Sequence, residues 1–398
     1  MTMKTGAGTT IPDYIYTIII PIFLGIIVTW IVLIAFPGRT DNPTIECLWV
    51  MNKSAPEKTY RCMPLPPVSL DAQYIQTPHA LIFITSNGSP IKGIHLNEME
   101  FITINESGTV FIRYHQFCTN FSAYTRAGNR LFNYSSVAYP RISPTGDTIA
   151  LLTTDGNSIG FIDIAGNERM PIHFAGQSLI DLNFAHSTNR SVAGFLDGTI
   201  LCFDGTGKET SRVTVQNSAY TYVKCTAISE NGKWTAAVAN LQPELLSCYK
   251  NGRKKWSVET GGNSRTKVPL TINVRQKTVY LYEDNLLFGK VLRNGRKRFT
   301  LPITDALPTA HIGTNNPVTT HTSYFYSSFS LIPISKKHSL ISYTTTNGCL
   351  ITARLQRNGK LRRLLSLDAT WSALKSSTDP AIFTIETKEH LYCMRMEQ

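Results

Sequence analysis

The sequence predicts an all-β fold, a seven-bladed β-propeller carried behind one N-terminal transmembrane helix. Three observations predict it. A charge-free apolar run lies close to the N-terminus, hairpin-like units recur through the rest of the chain, and a glycine landmark returns with a period near 40 residues. With 398 residues, 42% hydrophobic and 17% charged, the chain has ample material for a buried core, which excludes wholesale disorder.

The first element is the apolar run. After a short tail, 1–13, residues 14–36 read YIYTIIIPIFLGIIVTWIVLIAF without a charge. At a rise of about 1.5 Å per residue, this run spans a hydrocarbon core about 30 Å thick. Tyr14, Tyr16 and Trp30 are residue types favoured at membrane interfaces. A cleaved signal peptide would be shorter and end in small residues, whereas this run ends Phe36-Pro37-Gly38-Arg39. The flanking charges hardly vote on orientation. A short tail before a first helix places the N-terminus in the cytoplasm and the C-terminal domain on the exported side, periplasmic or extracellular. Residues 37–79, with Pro56, Pro64, Pro66 and Pro67, read as a stiff linker to a domain at 80–398.

The second element is the repeated hairpin. FITINESGTVFIRY (101–114), RISPTGDTIALLT (141–153) and CTAISENGKWTAAVA (225–239) align as an apolar run, a Ser- or Asn-led turn with Gly, and a second apolar run. Four later or intervening stretches keep the outline without the glycine, which makes seven units. The third element follows each hairpin as strand, Gly, basic or polar strand. Its glycines are Gly128, Gly166, Gly207, Gly252, Gly295 and Gly359, at spacings of 38, 41, 45, 43 and 64. Four short strands per period make a propeller blade. The last unit supplies strands at 372–377, 381–387 and 390–396, and residues 81–96 are expected to close the ring by adding to it. Eight blades follow instead if residues 60–96 build one of their own, and a β-sandwich is the competing architecture.

The turns ISPTGDTIALLT and ISENGKWTAAV resemble WD-like propeller repeats. DGTILCFDGTGKETSR and NGRKKWSVE are similar to the third-to-fourth-strand corner of quinoprotein-type (PQQ-like) repeats, in which Gly-Lys precedes a Trp. The resemblance covers residues 80–398. It departs from both patterns, since the Trp occurs at that corner once, as Trp256, and the Trp-Asp dipeptide is missing. It implies a propeller, and it brings to mind envelope propellers that help assemble membrane complexes.

No phosphate-binding Gly-x-x-x-x-Gly-Lys loop, His-Glu-x-x-His helix or Gly-x-Ser-x-Gly elbow occurs. No Cys-x-x-Cys pair is present, and only Cys47 and Cys62 bracket a loop that a disulfide could close. His311 and His321 share a loop with Asp305, a spacing more typical of solvated side chains than of metal ligands. No catalytic residue, metal or cofactor is therefore assigned.

Two binding regions stand out. Residues 251–300 hold twelve basic residues against Glu259, Glu283 and Asp284, a net charge of +9 in a chain of +12. Arg253, Lys254, Lys255, Arg296, Lys297 and Arg298, with Arg362 and Arg363 of the next unit, are expected on last turns and outer strands, forming a basic rim. Edge protection would account for such charges in one blade. The widest glycine spacing holds a Thr/Ser/Pro-rich loop, about Ile303–Ser330, ending in Tyr324, Phe325, Tyr326 and Phe329, which are either partner contacts or the start of the next strand. The expected function is a membrane-anchored binding or assembly scaffold with a protein partner, or an anionic membrane surface, at the rim. The alternative is an enzyme or small-ligand receptor using the central channel. A nucleic-acid partner is disfavoured, because aromatic residues do not interleave the basic ones.

Overall fold

In a computed structural model the described residues are 45–52, 73–76, 80–85, 90–117, 119–215, 221–262, 267–284, 286–303, 329–333, 336–344, 349–368, 372–376, 382–387 and 390–396. Every regular element among them is a β-strand, and the strands form eight antiparallel sheets in chain order. Blade 1 has three strands, Gln73–Gln76, Ala80–Ile84 and Pro90–His95. Blades 2 to 7 are four-stranded meanders over 100–135, 138–174, 179–214, 223–259, 270–302 and 329–368. Blade 8 combines Ser372–Ser376, Ile382–Thr387 and His390–Met396 with the N-terminal strand Ile45–Asn52.

Eight blades form, the alternative in which residues 60–96 build a blade of their own, and the closing segment is not the one expected. Residues 81–96 belong to blade 1, while Ile45–Asn52 pairs antiparallel with the last strand, Ile45 opposite Met396 and Asn52 opposite His390. The compact unit accordingly starts at Ile45, inside the stretch read as linker. Its prolines misled the reading, because Ile45–Asn52 itself contains none and can join a ladder. Blade 1 supplies a second, third and outer strand: Lys92 of Pro90–His95 donates to the Ala127 carbonyl (2.7 Å) in the outer turn of blade 2. That is the station at which other outer strands meet the next blade.

Among the described residues no helix is long and apolar enough to cross a membrane. The run 14–36 lies outside them, as do Cys62, His311, His321 and Asp305.

Consecutive sheets pack face to face, and each interface buries alternate apolar residues from both. Phe121, Ile149 and Ile162 lie between blades 2 and 3, and Cys248, Trp256, Val279 and Leu281 between blades 5 and 6. The glycine landmarks explain how the blades come so close. All six have positive φ, from 68° to 91°. A Cβ on Gly295 would stand 2.7 Å from the Trp256 ring of the preceding blade, and one on Gly359 2.6 Å from the Phe299 ring. Trp256 also donates its indole N–H to the Leu292 carbonyl at 2.8 Å. The position that quinoprotein-type repeats give to Trp is thus held by Trp256 in blade 5 and by Phe299 in blade 6, each against the next blade's glycine. In two hairpins that lack the turn glycine, Asn189 (φ 53°) and Lys277 (φ 53°) adopt the left-handed conformation instead.

Candidate protein-binding face

A meander whose strands alternate in direction gives each blade two ends. On the loop face, outer strands end, inner strands begin, and second strands turn into third strands. On the turn face lie the inner-to-second and third-to-outer turns.

Eight large apolar side chains are exposed among the described residues, and seven of them sit on the loop face of blades 2 to 4. Met99 and Phe101 open blade 2, Phe117 lies in its second-to-third loop, and Val137 leads into blade 3. Phe174 ends blade 3, Ile180 opens blade 4, and Leu196 sits in its loop. Phe117 is 65% and Phe174 61% exposed. Phe101 stacks on Tyr114 (centroids 5.8 Å apart), and Tyr114 meets Tyr139 edge-on at 6.3 Å. Tyr139 donates its hydroxyl hydrogen to the Gln116 carbonyl (2.9 Å), which anchors the loop that presents Phe117. The aromatic row therefore bridges two blades. Sequence reasoning missed this cluster, because Phe101 and Ile180 fall in strands whose apolar residues all read as core. The available signal was that Met99, Phe117, Val137 and Leu196 are apolar residues at turns, where polar ones are usual.

Tyr139 and Ile180 also line a cavity of about 580 Å³, together with Arg141, Thr153, Asp155, Asp181 and Lys267. A second cavity of about 320 Å³ shares Asp181, Asn183 and Lys267. Asp181 is 5% exposed and its acceptor capacity is taken up by the protein. Its Oδ1 pairs with Lys267 Nζ at 2.6 Å, while its Oδ2 accepts from the Thr226 backbone N–H (2.8 Å) and Asn183 Nδ2 (2.8 Å). These bonds tie the inner strands of blades 4 and 5 to the approach into blade 6. Burial pushes the neighbouring Cys225 thiol far up, which leaves it protonated and unreactive. Among the described residues no three His, Cys, Asp or Glu side chains gather as a metal site.

The expected basic rim lies elsewhere, on the turn face. Arg253, Lys254 and Lys255 open the outer strand of blade 5, all exposed. Arg296 lies in the last turn of blade 6, Lys297 and Arg298 open its outer strand, and Arg298 is only half-exposed. Burial and the Arg357 guanidinium pull the pKa of Arg298 below its ordinary value. Arg362 and Arg363 occupy the outer strand of blade 7, Leu361–Asp368. The fold also brings to this face residues from inner turns that were not read as part of the rim: Arg275, Lys277, Lys336 and Lys337. Burial, with smaller contributions from the charges of Arg354 and Lys337, holds His338 below the usual imidazole value. Of the expected loop aromatics, Tyr324, Phe325 and Tyr326 lie outside the described residues, and Phe329 begins the inner strand of blade 7.

A family model described as "beta-propeller protein" matches residues 12–251, more than half of the chain. No curated protein matches the sequence. Among solved structures, BamB from Moraxella catarrhalis is similar with a TM-score of 0.53 and 14% identity, over 89% of this chain and 98% of that one. Hsv2 from Kluyvelomyces marxianus follows with 0.51 and 10%, over 76% and 96%. The WD40 repeats of RRP9 give 0.51 and 9%, over 82% and 100%. At these identities the likeness is one of fold, and it spans both the PQQ-like and the WD-like resemblance read from the turns.

Proposed function

Since this chain belongs to the beta-propeller protein family, we propose that it is a membrane-anchored binding scaffold that docks a protein partner on the loop face of blades 2 to 4. The carrying observation is the gathering there of seven of the eight large apolar side chains that are exposed among the described residues. Exposed apolar patches cost solubility and mark interaction sites, and aromatic side chains dominate interface energetics. The cavity beside Tyr139 and Ile180 gives a partner's anchoring side chain a place to enter. In this reading residues 14–36 hold the chain in a bilayer, with the propeller on the exported side. The likeness to BamB is compatible with a part in assembling a larger complex and does not name one.

The test is affinity capture of the full chain against the double variant Phe117→Ser/Phe174→Ser. Both side chains are more than half exposed, so the variant should fold with a stability change of about 0.5 kcal/mol or less. The expected result is loss of the partner captured by the unaltered protein. Capture of the same partner in equal yield by both proteins would refute the docking site.

A further inference from the structure

Two like-charged pairs meet at the junction of blades 5 and 6, toward the turn face. In blade 5, Lys250 of the third strand stands opposite Arg253 of the outer strand and opposite Trp234 of the second. Strand alternation puts Lys250 on the same face as Leu246 and Cys248, which are buried in the cluster between these blades. In blade 6, Lys290 of the third strand stands opposite Lys297 of the outer strand and opposite Val279, a member of that same cluster. Residues opposite in register share one face of a sheet. Lys250, Arg253, Lys290 and Lys297 therefore all belong to the groove between blades 5 and 6. Arg293 and Arg296, both exposed, lie in the turn that joins Lys290 to Lys297.

Like charges placed directly opposite are destabilising, and packed sheets lie about 10 Å apart, close to one Debye length at physiological salt. These four cations repel one another within each blade and between the two. Burial, then the charge of Lys297, pulls the pKa of Lys290 below the ordinary lysine value. Among the described residues no carboxylate forms an ion pair with any of the four. Lys250 finds only the ring of Trp234, its Nζ 5.3 Å from the centroid. Protection of sheet edges accounts for Arg253 and Lys297 on outer strands. It does not account for Lys250 and Lys290, whose third strands are paired on both sides. The matching positions beside the third-to-outer turns of blades 2 to 4 hold no like-charged pair. There Tyr124 stands opposite Arg130, Ile162 opposite Glu168 and Phe203 opposite Glu209.

We propose that the groove between blades 5 and 6 is a phosphate site, in which inorganic phosphate or a small phosphate ester is held by Lys250, Arg253, Lys290 and Lys297. Such a group carries a charge of about −1.5 to −2 at pH 7, and its oxygens accept several charge-assisted hydrogen bonds at once. It turns the repulsion among the four cations into attraction to a shared centre. A small multiply charged anion fits this groove better than a protein surface does. None of the eight exposed large apolar side chains lies in blade 5 or 6 to anchor a protein there. The site is separate from the loop face of blades 2 to 4 and stands or falls independently of the docking reading.

The test exposes the full chain, in nonionic detergent, to inorganic phosphate or to glycerol phosphate at an ionic strength fixed with sodium chloride, and follows lysine acetylation residue by residue. Lys250, Lys290 and Lys297 should be protected several-fold, with saturation as either probe is raised, and the probe that saturates at the lower concentration identifies the source of the phosphate. Lys254 stands opposite Tyr249, on the face toward blade 4, and should react alike with and without the probes. The double variant Lys290→Gln/Lys297→Gln should weaken the protection of Lys250 at least tenfold, with a melting temperature that stays level or rises because a repulsive pair has gone. The single variant Lys250→Gln, at an exposed position, should weaken the protection of Lys290 several-fold and gives a second reading. Protection that never saturates, protection of Lys254 equal to that of Lys290, or undiminished protection in both variants would overturn the proposal.

Discussion

His186 shows what a single side chain contributes across the ring. Its imidazole meets the Glu106 carboxylate at 2.5 Å, a contact between the inner turns of blades 4 and 2 that passes over blade 3. The hydrogen bond that the imidazole donates to Glu106, then the charges of Glu106 and Glu230, raise its pKa against the opposing effect of burial. A raised pKa in the fold means that the stabilisation is fully present below the unfolded value of about 6.5 and is lost as pH rises through the folded value. An imidazole titration followed by NMR should give His186 a midpoint above 6.5, and Glu106→Gln should return it toward that value. An unchanged midpoint in the variant would assign the shift to something other than this pair. Lys224 and Glu244 make a contrasting pair, both sealed from solvent in blade 5, with Thr260 as a further donor to the carboxylate. Such a pair contributes little net stability when intact and is costly to break, because removal of one partner leaves the other charge buried alone.

The third-to-outer turn is the element that sets blade spacing. Its glycine adopts a conformation that side chains avoid, and in blades 3, 4, 6 and 7 it also lets the turn touch an aromatic ring of the preceding blade. Gly359→Ala combines both costs, a φ of +91° and a methyl 2.6 Å from Phe299. A loss of about 2 to 4 kcal/mol in chemical denaturation is expected. A loss near zero would mean that blades 6 and 7 can separate freely at this point. The repeating glycine was legible in the sequence because this steric demand is local. The apolar cluster was not, because Phe101 and Phe111 read alike in a string of alternating residues. Phe101 is nearly half exposed and Phe111 is 1% exposed, and the neighbouring blade alone decides between them.

At the scale of the whole molecule, closure depends on a strand supplied by the far end of the chain. A chain lacking residues 1–44 keeps Ile45–Asn52 and should unfold in one cooperative transition like the intact propeller. A chain lacking residues 1–52 loses the outer strand of blade 8, which exposes the edge of His390–Met396. It should aggregate or melt at a markedly lower temperature, with light scattering and thermal denaturation as the measures. Equal melting of the two truncations would show that the ring holds without its closing strand. Polarity also belongs to this scale. The loop face of blades 2 to 4 exposes apolar residues while the turn face of blades 5 to 7 is basic, and no stretch of sequence contains that opposition.

The sequence alone determined the β-class, the repeated hairpin, the turn glycines and the charge excess, because each follows from side-chain alternation, backbone sterics or composition within a few neighbouring residues. Tertiary structure alone decided between seven blades and eight, the identity of the closing strand and the grouping of basic turns from three blades. These depend on pairings between residues hundreds of positions apart, as between Ile45 and Met396. A local pattern can specify that a strand forms, and only the assembled ring fixes which strand lies beside it.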